Sequence, residues 1–458
     1  MKSAWMMAAL FLAGCQHAPP QALQPGDAPP AWSLATAQGA AWPTRDWWKG
    51  FGSTELSNLL YEAEANSFDT QTAAQRVIEA EAQVTLVGAN LWPSLDVSGS
   101  SSRRGDFQSG TGDAVSYNAS LGLGYEVDLW GQNRANRRSA VASLAASRFD
   151  QTAVGLATAS GVASAYVEIL SLRDRIKNAR LDLDSAQEIL RLIEARVNNG
   201  AAPPSDLVQQ RAAVARQQAA IPPLLQQERE TLSALAILIG RPAHGFNVET
   251  QSLQAVAIPV VSPGLPSQLL QRRPDVAEAE AQLAAASANL DAARTAFFPS
   301  INLSGSAGGA STALQALFDP GATAWSIAVS ASETIFDAGR RGAQVKASKA
   351  REQELVLAYR KAVLSAFSEV DLTMNLIQSL AQQRALVEIQ LASAREAYRL
   401  AQVRYREGAT DLTEVLQTQS SLFSAEDQLT QVKLQQAQAA VTLYRALGGG
   451  WDRTTSGI

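Results

Sequence analysis

FFPSINLSGS, residues 297 to 306, decides how the chain is read. Before it stands RRPDVAEAEAQLAAASANLDAARTA, residues 272 to 296, a run of strong helix formers. That run stops at two aromatic rings and Pro299, where the missing N–H ends a helix and the ring pushes the preceding residue toward extended geometry. From there Ile301, Leu303 and Gly305 alternate with Asn302, Ser304 and Ser306, which is the period of a strand. A long water-compatible helix thus passes into a strand within about three residues. Nearly the same words, LWPSLDVSGS, stand at residues 91 to 100.

Two further segments alternate in the same way. Tyr117, Ala119, Leu121, Leu123, Tyr125, Val127 and Leu129 face away from Asn118, Ser120, Gly122, Gly124, Glu126 and Asp128, and Trp325, Ile327, Val329 and Ala331 interleave with Ser326, Ala328, Ser330 and Ser332. A membrane strand needs about 9 to 11 residues with apolar side chains to lipid and small polar ones to a lumen, and these segments have that form. Alternation alone leaves soluble hairpins packed on the helices as an equal reading. No stretch reaches eighteen consecutive apolar residues, so strands are the elements predicted to cross a membrane. Trp92 with Pro93, and Phe298 with Pro299, mark the two helix-to-strand passages and are predicted to sit at the membrane interface, where aromatic girdles belong.

The echo extends along the chain. Gly131, Gly200 and Gly240 return as Gly339, Gly408 and Gly448, so the chain is one duplicated unit reading helix, strand, hairpin loop, strand, long helix, tight turn, helix. The predicted organisation is a signal peptide over 1–14, a tether and arm over 15–52, a first repeat over 53–240, a linker over 241–266, a second repeat over 267–448 and a tail over 449–458. Strands are predicted at 94–104, 115–129, 300–310 and 324–336, long helices at 131–199 and 338–407, and return helices at 205–239 and 411–447. A helix of about 68 residues is a rod on the order of 100 Å. Val356, Val363, Val370 and Ile377, then Leu391, Tyr398 and Tyr405, recur at heptad spacing, matched by Val415, Leu422, Leu429 and Leu443 on the return helix, which predicts coiled-coil packing of antiparallel neighbours. Pro222 and Pro223 predict a break midway along 205–239. Four strands leave two open edges, and each unpaired backbone group in hydrocarbon costs several kcal/mol, so other copies must close the sheet. Three chains supply twelve strands, and three is the smallest number that leaves a lumen.

Composition excludes much else. With 18% charged residues and net charge −5, the chain lacks the basic surface a nucleic-acid partner requires. Two histidines and one cysteine rule out a Cys/His zinc site and an intramolecular disulfide, and no phosphate loop, nucleophile motif or metal cluster marks an enzyme. The first fifteen residues, MKSAWMMAALFLAGC, form a secretion signal, and Leu12-Ala13-Gly14-Cys15 resembles the bacterial lipobox. That likeness implies cleavage before Cys15 and covalent lipid on it, palmitate among the chains, and Gln16 in place of Asp implies sorting to the outer membrane. An ordinary signal peptide with an incidental cysteine is the alternative.

LPSQLLQRRPDVAEAEAQLAAASANLDAARTAFFPSINLSGSAGG at 265–309, WWKGFGSTEL at 47–56, DLWG at 128–131 and RYREGATDLTEVLQTQSSLFSAEDQL at 404–429 together resemble the TolC-type outer-membrane factors, in the lipoprotein branch that serves drug efflux pumps. The resemblance implies a mixed α and β membrane protein, a homotrimer whose twelve-stranded outer-membrane barrel continues into a periplasmic helical tunnel. It implies a periplasmic adaptor and an inner-membrane transporter of the RND type as partners, outer-membrane lipid as surroundings, and no cofactor beyond the lipid on Cys15. The exit duct of a type I protein secretion system is the alternative. It also implies a periplasmic gate at the helix turns around Gly200 and Gly408, with Asp206 and Tyr405 matching a carboxylate and a phenol that hold related gates shut, and Thr413, Glu414 and Gln417 nearby. Gln417 stands where an aspartate ring commonly narrows the pore, and Thr410 replaces a basic residue, so an acidic constriction rests on Glu414. The plain reading of the same residues is helix capping by Gly200, Gly408 and Asp411.

Overall fold

The computed structural model describes residues 29, 31–33, 42–105, 114–259, 264 and 266–451. Cys15, the signal sequence and most of the tether lie outside the described residues. In chain order the main elements are α1 (Thr54–Asn66), α2 (Phe68–Ala89), β1 (Ser94–Arg104), β2 (Ala114–Glu126), α3 (Gln132–Asn198), α4 (Pro204–Leu238), α5 (Pro274–Thr295), β3 (Ser300–Ser311), β4 (Thr323–Ser332), α6 (Arg340–Arg406) and α7 (Leu412–Ala446). The duplication is visible in their lengths. Helices α3 and α6 each have 67 residues, and α4 and α7 each have 35.

Two compact units divide the chain. The first, built from residues 76–148 and 278–361, carries the strands. They form one antiparallel sheet in the order β1-β2-β3-β4, so the two halves of the duplication meet at β2 and β3. The register sorts the side chains by face. Leu95 lies opposite Leu123, Val97 opposite Leu121, Leu121 opposite Ala307, and Leu303 opposite Val329. The other face carries Asp96, Ser98, Ser120, Asn302, Ser306 and Ser326, where hydroxyls pair across strands at 2.9 Å in both Ser98–Ser120 and Ser306–Ser326. The apolar face stands open within the chain: Val97 is 82% exposed, Ile327 70% and Val329 72%. Within the chain, β1 and β4 each pair on one side only.

Two strands end earlier than their alternation predicts. β2 stops at Glu126 rather than 129, and β4 at Ser332 rather than 336. Beyond each end a carboxylate serves the oncoming helix. Asp128 accepts from the amides of Asn133 and Arg134 at 3.0 and 2.9 Å and from Arg134 Nε at 3.0 Å. Asp337 does the same for Gly339 N, Arg341 N and Arg341 Nε at 2.9, 3.1 and 2.9 Å.

The second unit takes in residues 25–75, 149–277 and 362–458. Its core joins Trp47, Trp48 and Phe51 to Leu56 and Leu60 of α1, Val162, Tyr166 and Leu170 of α3, Leu235 of α4, and Ala437, Val441 and Tyr444 of α7. Trp47 stacks on Tyr444 with centroids 4.9 Å apart. A stretch of α3 is apolar enough by composition to cross a membrane, but half of it is buried in the protein, which assigns its apolarity to packing. The linker is part of this core, contributing Val248, Leu253 and Val256. Most of the heptad residues are also inside: Val363, Val370, Leu391, Tyr398, Tyr405, Val415, Leu422 and Leu443 are buried, while Val356, Ile377 and Leu429 are half-buried.

The RRPD sequence has a structural reason here. Arg273 donates to both carboxylate oxygens of Asp275 at 3.0 and 2.6 Å, to Glu369 on α6 at 2.8 Å and to the carbonyl of Ala446 at the end of α7 at 3.1 Å. A buried guanidinium satisfied in this way ties three helix segments, and removing one partner of such a group costs about 3–5 kcal/mol. Pro222 and Pro223 do not break their helix: α4 is continuous from Pro204 to Leu238 with both prolines inside. The carbonyls that lose a donor belong to Gln218 and Ala219, which are exposed, so water replaces the missing bonds.

Candidate functional site

The two helix turns are built alike. After α3, Gly200 takes φ 71°, its amide donates to Val197 O at 3.0 Å, and the amide of Ala201 reaches Arg196 O at 2.8 Å. After α6, Gly408 takes φ 74° and the same two bonds run from Gly408 to Tyr405 O at 3.1 Å and from Ala409 to Arg404 O at 2.8 Å. Both are Schellman closures, in which only glycine adopts the left-handed φ without a Cβ penalty. The helices that leave the turns are started differently. α4 opens on Pro204 with Asp206 in its first turn, while Asp411 caps α7 by accepting from the amide of Glu414 at 3.1 Å.

A residue outside the sequence expectation joins the turns. Arg196 donates to the carbonyls of Tyr405 and Arg406 at 3.2 and 2.9 Å, and its guanidinium lies 4.7 Å from the centre of the Tyr405 ring. It binds the last turn of α3 to that of α6 by charge-assisted bonds and a cation–π contact. The only sequence signal for it is a cation in the last turn before Gly200, which is ordinary for a helix C-terminus.

Tyr405 is 6% exposed, and its hydroxyl is buried without a hydrogen-bond partner. Within one chain the Asp206 carboxylate therefore does not reach it. An unsatisfied buried hydroxyl costs about 1–3 kcal/mol. Glu414 is compensated locally, by Arg404 Nη1 at 3.1 Å and by the Thr410 hydroxyl. It does not return to the amide of its own cap, so Asp411 and Glu414 form half of a capping box. Thr413 and Gln417, one turn apart on α7, are exposed and uncharged.

Further along the coils, the Tyr398 hydroxyl lies 3.1 Å from Ser185 Oγ and accepts from Gln419 Nε2 at 3.2 Å, while Gln210 donates to Ala186 O at 2.7 Å. Asp182 sits in this region, and burial, with Glu426 and Asp427 adding repulsion, pushes its carboxyl up to about 7. Sequence reading missed Asp182, because LDLDSAQ looks like any solvated face.

Aromatic residues gather where strands meet helices. Phe298 stacks on Trp130 at 4.9 Å, Trp130 Nε1 donates to Pro299 O at 2.8 Å, and Trp92 is 74% exposed. Trp130 joins this aromatic group, legible in the sequence only as the tryptophan of DLWG. Among the described residues no group of three His, Cys, Asp or Glu side chains is placed to hold a metal ion.

These features have counterparts in known proteins. The family description "Outer membrane efflux protein" fits residues 59–241 and 265–449. The chain is 40% identical to the pyoverdine export outer membrane protein OpmQ of Pseudomonas aeruginosa, across 100% of this chain and 99% of that one. It is 41% identical to the protein of the same name from Pseudomonas putida, across 97% and 96% of the two chains. Its fold superposes on the open-state crystal structure of the Neisseria gonorrhoeae MtrE outer membrane channel with a TM-score of 0.81 at 29% identity, covering 94% of this chain and 99% of that one. The four strands are this chain's share of the β-barrel in a trimeric channel that also has long α-helical domains. An open apolar sheet face, two unpaired edges and a duplicated pair of coils are what such an assembly requires of each subunit, and the chain belongs to the outer membrane efflux protein family, whose members form the exit ducts of tripartite efflux pumps.

Proposed function

We propose that the protein is the lipid-anchored outer-membrane duct of a pump that exports a peptide siderophore of the pyoverdine type. The observation that carries the cargo is the identity of 40% and 41%, across nearly the whole chain, to two proteins named for pyoverdine export. Lipid on Cys15 anchors the chain, a periplasmic adaptor and an RND-type transporter deliver the cargo, and transport energy comes from that transporter. The trimer brings six turns together as the periplasmic gate, where Asp206 of one coil pairs with Tyr405 of an adjacent one. That reading rests on the positions of the two residues beside the Gly200 and Gly408 turns, and it requires the Tyr405 hydroxyl, covered and unpartnered within one chain, to turn outward.

The gene, placed in a Pseudomonas putida strain lacking its own OpmQ, is expected to restore pyoverdine in the spent medium. A strain that regains resistance to amphiphilic drugs and not pyoverdine export would assign the duct to a drug pump instead.

A further inference from the structure

A polar recess of about 460 Å³ lies where the linker crosses the coils, lined by Asp174, Lys177, Ser252–Ile258 residues of the linker, Arg384, Thr430 and Lys433. Three of these side chains are cations, drawn from three different helices, in a chain whose net charge is −5. The only lining carboxylate is already in use: Asp174 caps the linker turn by accepting from the amide of Leu253 at 3.0 Å. Arg384 shares its charge with Glu388 at 2.8 Å, but Lys177 and Lys433 have no ion-pair partner among the described residues. Elsewhere the chain pairs its cations freely, as in Arg175 with Asp427 at 2.6 Å, close along the same helices.

The duplication gives an internal control. At the repeat-equivalent positions of Lys177, Lys433 and Arg384 stand Ala385, Leu225 and Ile176. The coiled scaffold therefore does not call for cations at these places. Lys177 comes from the first repeat and Arg384 and Lys433 from the second, and they meet where the linker passes, together with Asn178, Ser252, Gln254 and Thr430 as hydrogen-bonding neighbours.

We propose that this recess binds a small multivalent oxyanion, bearing phosphate or carboxylate groups, between Lys177, Lys433 and Arg384. Partly enclosed cations from rigid helices hold such a group more strongly than solvated ones, and loss of two of them removes most of the attraction.

Isothermal titration of the purified full-length trimer at low salt, with sodium phosphate and separately with sodium citrate, tests this. Saturable binding of at least one anion, one per chain, is expected, weakened tenfold or more in the Lys177→Gln/Lys433→Gln variant and unchanged in Lys346→Gln, a surface control outside the recess. If the double variant fails to assemble, Lys177→Gln alone, at an exposed position, is expected to weaken binding severalfold. Absence of saturable binding by both anions, or equal weakening in the Lys346→Gln control, would overturn the proposal.

Discussion

Asp182 is a carboxylate placed where ionisation is costly. Burial comes first and the negative Glu426 and Asp427 second in raising it to about 7, so the folded chain holds a proton that the unfolded chain has lost above about pH 4. Stability from this group is complete below the unfolded value and is lost as pH rises through the folded one. Asp182→Asn removes the charge at nearly constant shape. It is expected to stabilise the surrounding coil by about 1–2 kcal/mol at pH 8, a figure reduced for the solvent that reaches this half-buried site, and to change little near pH 4. Amide hydrogen exchange along α3 at the two pH values measures the difference, and equal protection at pH 8 would contradict it. Asp128 and Asp337 put the same side chain to another use, each starting a helix by accepting from two amides and a guanidinium.

At the level of elements, the strands divide lipid from lumen residue by residue, so adjacent positions respond oppositely. Val329→Arg is expected to cost about 2–4 kcal/mol at mid-membrane and to deplete heat-modifiable trimer from the outer-membrane fraction, while Ser330→Arg on the small polar face leaves trimer in place. Similar trimer levels in both variants would refute the assignment of faces. This alternation was legible from FFPSINLSGS onward because period two survives any tertiary detail. The long helices were legible too, through heptads such as Val363 to Val370 that packing merely buries. What could not be read was where competing hydrogen bonds end an element. Val127 and Leu129 continue the pattern of β2, yet Asp128 between them turns to the amides of α3. Pro222 and Pro223 announce a break, yet exposed carbonyls let water fill the gap and α4 runs on. The two turns were legible from their glycines and illegible in their contacts, since the reach of Arg196 to Tyr405 O spans two halves of the sequence.

For the whole molecule, the proposed gate is a property of three chains. Asp206→Ala combined with Tyr405→Phe is expected to raise single-channel conductance in planar bilayers severalfold, and an unchanged closed-state conductance would remove both residues from the gate. The sheet order has its own bearing on biogenesis. Its central neighbours, β2 and β3, are separated by the chain from Glu126 to Ser300, so their meeting must close a loop at an entropic cost of about 4–5 kcal/mol before any ladder bond repays it. A nascent polypeptide halted after its first half owns a lone hairpin with nothing to lie beside. The central β2–β3 ladder of each chain therefore forms only once the second repeat has been delivered.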